Sequence, residues 1–197
     1  SRWNFFFEIL NNKKKLFILF ITGLLIFVNW LTWIYAVVTN RLVDASFGYY
    51  IFPILSVLFG FIFFKEKLNK RRIISIFLVL ISIIYFLFNF KSIPWIGLTV
   101  AITWSTYNLL RKKINVRTDI GVFIETIFIV PVALILFYFI SQKGLNDFSF
   151  SNPSIMFWLF LAGPVTVIPL YLYLRGVELA GLGPSGMVFF IAPTGQF

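Results

Sequence analysis

The 197-residue chain is 60% hydrophobic and 21% aromatic, with a mean hydropathy of +0.94, so lipid rather than water must be its solvent. Cysteine and histidine are both absent, which excludes disulfides and thiolate metal sites and removes the commonest metal ligand and general base. The formal charge of +10, from 17 Lys+Arg against 7 Asp+Glu, is in this setting a topology signal first; nucleic acid is a poor second reading.

Residues 1–12 mix acidic and aromatic side chains and carry no signal-peptide pattern. Six complete apolar stretches follow, at 16–38, 45–64, 73–90, 93–110, 120–140 and 155–174. Each is about 18 to 23 residues, the length that carries an α-helix across a ~30 Å hydrocarbon core. A seventh begins near Gly183 and is still running at Phe197, so a chain truncated at its C-terminus is expected. The alternation of a membrane β-barrel is absent, and the expected class is all-α, a polytopic helix bundle.

The connections sort by charge. Lys13, Lys14 and Lys15 precede the first stretch; Lys65, Lys67, Lys70, Arg71 and Arg72 stand in the second connection against Glu66. Arg111, Lys112, Lys113 and Arg117 stand in the fourth against Asp119. The intervening connections are nearly neutral: Arg41 with Asp44, Lys91 alone, then Lys143 with Asp147. Positive charge is retained on the cytoplasmic side, which places loops 65–72 and 111–119 there. Basic clusters beside a membrane can also hold anionic lipid head groups.

One segment occurs twice. Residues 36–53 and 176–193, offset by 140, share Val37/Val177, Leu42/Leu182, Ile51/Ile191 and Pro53/Pro193. Small residues match small ones (Ala36/Gly176, Ala45/Ser185, Ser46/Gly186), and aromatics match aromatics (Tyr49/Phe189, Tyr50/Phe190). An odd number of spans separates the copies, so they cross the membrane in opposite directions. Inverted repeats of this kind build many secondary transporters, whose site lies at the midplane between the halves. Pro53, Pro131, Pro164, Pro169 and Pro193 interrupt the stretches, and nearby Gly and Ser (Gly48, Ser56, Gly60, Gly163, Gly186) permit close helix approach.

Glu125 is the only acidic residue well inside a stretch. It could accept a proton, pair with a cationic substrate or pair with a basic side chain such as Arg111; the plainer reading is a structural, hydrogen-bonded glutamate. Asn29, Trp30, Thr32 and Trp33 form a polar-aromatic cluster, and Trp104, Ser105, Tyr107 and Asn108 form a second. Tyr49 and Tyr50, beside Gly48, could line a pathway or belt the interface. No nucleophile–base pair, carboxylate dyad or phosphate-binding glycine loop is present, so neither catalysis nor a cofactor is expected.

With these residues in view the chain resembles a known family. Asn29-Trp30, the stretch Asp44-Ala45-Ser46-Phe47-Gly48-Tyr49 with Pro53, and Glu66 before a basic run are similar to the RarD-type branch of the EamA drug/metabolite transporters. So are Arg111-Lys112-Lys113, Gly121, Ile124-Glu125-Thr126, Pro131, Gly163, Thr166, Pro169-Leu170, Ile191, Pro193 and Thr194. The family commonly has Glu at the position of Asp44 and Gly-Glu at Lys65-Glu66. The resemblance implies a bacterial inner-membrane protein of ten helices in two inverted five-helix halves. Residues 1–90 would then be the last three helices of the first half, and 91–197 the truncated start of the second. The first two helices, the end of the ninth and the tenth would lie outside the chain. The expected activity is transport of a small organic solute, as an exporter working by alternating access, with a proton as candidate co-substrate. Asn29, Trp30, Tyr49, Tyr107, Asn108 and Glu125 are expected to face a central cavity. A channel or non-transporting scaffold is the alternative, and an integral-membrane enzyme a more distant one.

Overall fold

A computed structural model describes residues 2–67, 69–89, 94–144, 152–189 and 191. All regular structure among the described residues is helical: α1 (Arg2–Asn11), α2 (Lys13–Val38), α3 (Leu42–Phe64), α4 (Lys70–Asn89), α5 (Trp95–Ile114), α6 (Thr118–Gln142), α7 (Pro153–Ala180) and α8 (Leu182–Val188). Within the described residues, each of the six complete apolar stretches is built on a helix, and the seventh starts one. Four helices, α2, α3, α6 and α7, are long and apolar enough to cross a bilayer.

The helices outrun the apolar stretches because the flanking polar residues supply caps and continue the spiral. Asn12 Oδ1 accepts the Lys15 N–H at 3.0 Å and so caps α2, whose first three residues are the lysines of the basic N-terminal cluster. Asn152 caps α7 in the same way, ahead of a proline that needs no donor in the first turn. The helix α1, formed by residues that carry no long apolar run, has no counterpart in the sequence reading. Left-handed residues close α3 at Lys65 and α5 at Asn115. The second copy of the repeat beyond Phe189, Pro193 and Phe190 included, falls outside the described residues apart from Ile191, as do Lys91 and Asp147.

The chain divides into two compact units. One comprises Ser1–Gly23 and Val116–Arg175. There α1 meets α6 through Phe6 and Phe123, ring centroids 6.0 Å apart, and the start of α2 meets α6 through Phe20 and Phe128 at 5.5 Å. No residue in the most apolar window of α7 is buried.

The other unit comprises Leu24–Asn115 and Gly176–Phe197 and is organised around α3. Helices α3 and α5 run parallel and touch backbone to backbone. A Cβ on Gly48 would lie 2.5 Å from Gly97 O, and a Cβ on Gly97 would lie 2.5 Å from Asp44 O. Only glycines allow so close a crossing, the device by which membrane helices gain dispersion contacts without a hydrophobic driving force. One turn further the same register brings Phe52 to Trp104, with ring centroids 6.2 Å apart. Ala36, Ala45 and Ile96 close the opposite end against Trp33. Helix α8 runs antiparallel to α3: its start lies at Glu66, Gly186 lies against Ser56 and Pro53, and Phe189 reaches Phe52 and Tyr49.

Candidate functional site

Polar groups inside the α2–α3–α5–α8 unit are held by specific partners. Asn29 is 5% exposed on α2, and its Nδ2 donates to Val100 O at 3.0 Å and Thr103 Oγ1 at 2.8 Å on α5. Both amide hydrogens are thus spent on helix–helix cohesion. Asn29→Leu is expected to lower stability by about 1–3 kcal/mol, because the bond is lost where no water replaces it. Thr103→Val should cost less, since one of the two acceptors survives. Thermal unfolding of both variants in detergent checks the order. Trp30, the next residue, is 37% exposed.

An aromatic row crosses this unit. Trp33 on α2 meets Tyr49 on α3 edge to face at 5.2 Å. Tyr49 meets Phe189, which follows α8, at 5.7 Å. Phe189 packs on Phe52 at 5.0 Å and on Trp104 at 6.0 Å, and Trp104 stacks on Tyr107 at 5.6 Å. Tyr107 and Asn108 are fully buried on α5. Asn108 Nδ2 donates to Trp104 O at 2.7 Å, whereas its Oδ1 and the hydroxyl of Ser56 have no hydrogen-bond partner among the described residues. The row therefore links Tyr49 to Tyr107 and Asn108 through three residues outside the expected set, Phe52, Trp104 and Phe189. Phe189 carried one signal in the sequence, its pairing with Tyr49 in the repeat.

Glu125 belongs to the other unit. It is 4% exposed on α6, and Thr22 Oγ1 of α2 donates to its Oε1 at 2.6 Å. The neighbouring Gly23 brings α2 close to α6, with room for a Cβ only 3.4 Å from Glu125 O. Of the six expected residues, five lie in one unit and Glu125 in the other.

Glu66, which the sequence reading placed in a basic loop, joins three donors. Its Oε1 accepts the Leu182 N–H and its Oε2 the Gly183 N–H, both at 2.9 Å, and Lys112 Nζ donates to Oε1 at 2.5 Å. Lys112 also lies over the Phe64 ring, 4.5 Å from its centroid. The carboxylate fills the space that glycines leave: a Cβ on Gly60 or on Gly181 would come within 2.7 Å of it. Gly181 has φ +94°, a conformation that disfavours a side chain independently. Burial alone would raise the Glu66 carboxyl, but the Lys112 and backbone hydrogen bonds outweigh it and hold it below its ordinary value of 4.5. A depressed folded-state value stabilises the fold above the ordinary carboxylate range, and that contribution is lost as pH falls through the folded value. Acidification from about pH 7 to about pH 3 should therefore lower the melting temperature more in the parent than in Glu66→Gln.

The model of the EamA-like transporter family matches residues 3–88. Protein RarD of Salmonella typhi is 32% identical over 196 residues, covering 100% of this chain and 67% of the relative. The uncharacterized transporter YojE of Bacillus subtilis is 34% identical over 98% of this chain, and an uncharacterized transporter of Vibrio cholerae is 33% identical over 100% of it. The chain spans 65% of the length of each of the latter two. No solved structure matches.

Proposed function

The chain belongs to the EamA-like transporter family, in its RarD-type branch, and we propose that it forms most of a secondary transporter for a small organic solute. The transporter works as an exporter by alternating access in a bacterial inner membrane, with loops 65–72 and 111–119 in the cytoplasm. All six complete apolar stretches span the membrane. Residues 1–90 and 91–197 belong to two inverted halves, and Asn29, Trp30, Tyr49, Tyr107, Asn108 and Glu125 face the solute pathway.

The observation that carries this reading is the antiparallel pairing of α3 with α8. Under the 140-residue offset Phe189 is the counterpart of Tyr49, and these two rings touch. Two copies of a segment related by a two-fold axis in the membrane plane run antiparallel where they meet, and only positions near the axis meet their own counterpart. Gly186, three residues before Phe189, lies against Pro53 and Ser56, beyond Tyr49, in keeping with an antiparallel crossing. Inverted halves meeting at a central axis are the architecture in which rocking exposes one site to alternate sides.

Everted membrane vesicles containing the full-length protein test the reading. Energised vesicles are expected to accumulate at least one labelled solute from a panel of amines, amino acids and antibiotics, with saturation and competition by unlabelled solute. Flux that never saturates points to a channel. No flux across the panel, with the protein folded, points to a scaffold.

A further inference from the structure

Glu66, just past the end of α3, binds α5 and α8, and further along α3 and α5 lie polar groups with no partner among the described residues. Phe52 on α3 pairs with Trp104 on α5, and four residues on along each of these parallel helices stand Ser56 and Asn108, so the register puts them at one level. Ser56 is 1% exposed and Asn108 is fully buried. The Ser56 hydroxyl and Asn108 Oδ1 have no partner among the described residues. Gly186 of α8 seals over Ser56, so close that a Cβ there would lie 2.6 Å from Ser56 Cβ. Buried polar groups without partners cost free energy that hydration would recover. The Glu66 bonds to Leu182 and Gly183 are one contact that keeps α8 over this layer.

We propose that Glu66 is the latch of a cytoplasmic-side gate: its carboxylate, braced by Lys112, clamps the first two N–H groups of α8 and thereby closes that helix over the Ser56–Asn108 layer. Release of the clamp lets α8 lift away from α3 and wets the layer. A side chain at 60 or 181 would have to displace the clamped carboxylate, which occupies that space. Charge on the carboxylate matters twice, in its pair with the Lys112 ammonium and as an anion at the positive end of α8. The latch gives alternating access a moving part, and its purpose rests on the transport reading. Its existence is tested without measuring transport.

The test uses the full-length protein in lipid, with hydrogen exchange read over 182–188 and over the Gly97 crossing. Labelling of Ser56→Cys by a membrane-impermeant maleimide, on a cysteine-free background, is the second readout. Glu66→Ala is expected to raise exchange at 182–183 by about tenfold or more and to raise labelling severalfold, with the Gly97 region unchanged. Glu66→Gln keeps one acceptor and should fall between. The paired exchange Glu66→Lys with Lys112→Glu restores opposite charges but sets an ammonium at the helix start, so it should remain open. Unchanged exchange and labelling in Glu66→Ala would overturn the latch. So would a rise shared equally by the Gly97 region, which marks general loosening, or full protection in the charge-exchanged pair, which would make the ion pair alone sufficient. Transport could fail with the latch intact, or persist without it, so the two proposals stand or fall separately.

Discussion

Gly97→Val is expected to be the most destabilising single substitution in the α2–α3–α5–α8 unit, and Gly48→Val its equal. A side chain at either position meets backbone, not a flexible neighbour: Asp44 O at 2.5 Å from position 97, and Gly97 O at 2.5 Å from position 48. Rotamer adjustment cannot relieve this, so the helices must separate along their whole contact, including the Phe52–Trp104 level and the Asn29 bonds to Val100 and Thr103. Overpacking against adaptable side chains costs about 1–3 kcal/mol, and with an unyielding obstacle the upper end or beyond is expected. Even Ala should be damaging, since its Cβ alone is already too close. The control is Gly163→Ala on α7, where a Cβ meets nothing within 4 Å. That change should be neutral or raise stability by a few tenths of a kcal/mol through helix propensity, up to about 1 kcal/mol. Thermal unfolding of the purified protein in detergent orders the three. A Gly97→Ala protein as stable as Gly163→Ala would contradict the crossing.

Glu125 carries the second large effect. Among the described residues it is a carboxyl enclosed in an apolar helix and engaged by the Thr22 hydroxyl at 2.6 Å. A carboxyl so placed within an apolar helix is costly to keep, and we propose it as the proton carrier. If it is the proton carrier, Glu125→Gln in the full-length protein should abolish the response of transport to a pH gradient. Solute exchange at equilibrium should survive, because an amide still accepts from Thr22 but cannot change charge. Accumulation against a gradient should fall by about tenfold or more, a loss of about 1.4 kcal/mol or more of stored gradient free energy. Thr22→Val should leave coupling in place and shift its pH dependence. A purely structural glutamate predicts the reverse: lost thermal stability with coupling retained.

Much of the architecture was legible in the residues. Apolar runs of membrane length located the helices, because in lipid the backbone must satisfy itself and leaves few alternatives. Their ends were not legible. Caps such as Asn12 and the lysines of α2 extend helices past the last apolar residue, and α1 forms without a long apolar run. Gly48 was marked as a site of close approach, but its partner Gly97 was not, since a single sequence does not show which small residues face each other. Asn29 and Glu125 were recognised as needing partners; which hydroxyls supply them, Thr103 and Thr22, depends on helix register. Glu66 was hidden by its surroundings. In a run of lysines and arginines it counted as one charge in a basic loop and as a landmark of the family resemblance; its bond to Leu182, 116 residues later, depends on how the chain returns.

The central claim is that this family member moves a solute through a pathway exposed alternately to the two sides. Counterflow in proteoliposomes tests it most directly: full-length protein, loaded with unlabelled solute, is diluted into a trace of labelled solute. A transient accumulation of label above its outside level, abolished in Gly97→Val and present in Glu125→Gln, is the predicted result. Label that only equilibrates, at a rate proportional to concentration and without overshoot, would contradict alternating access.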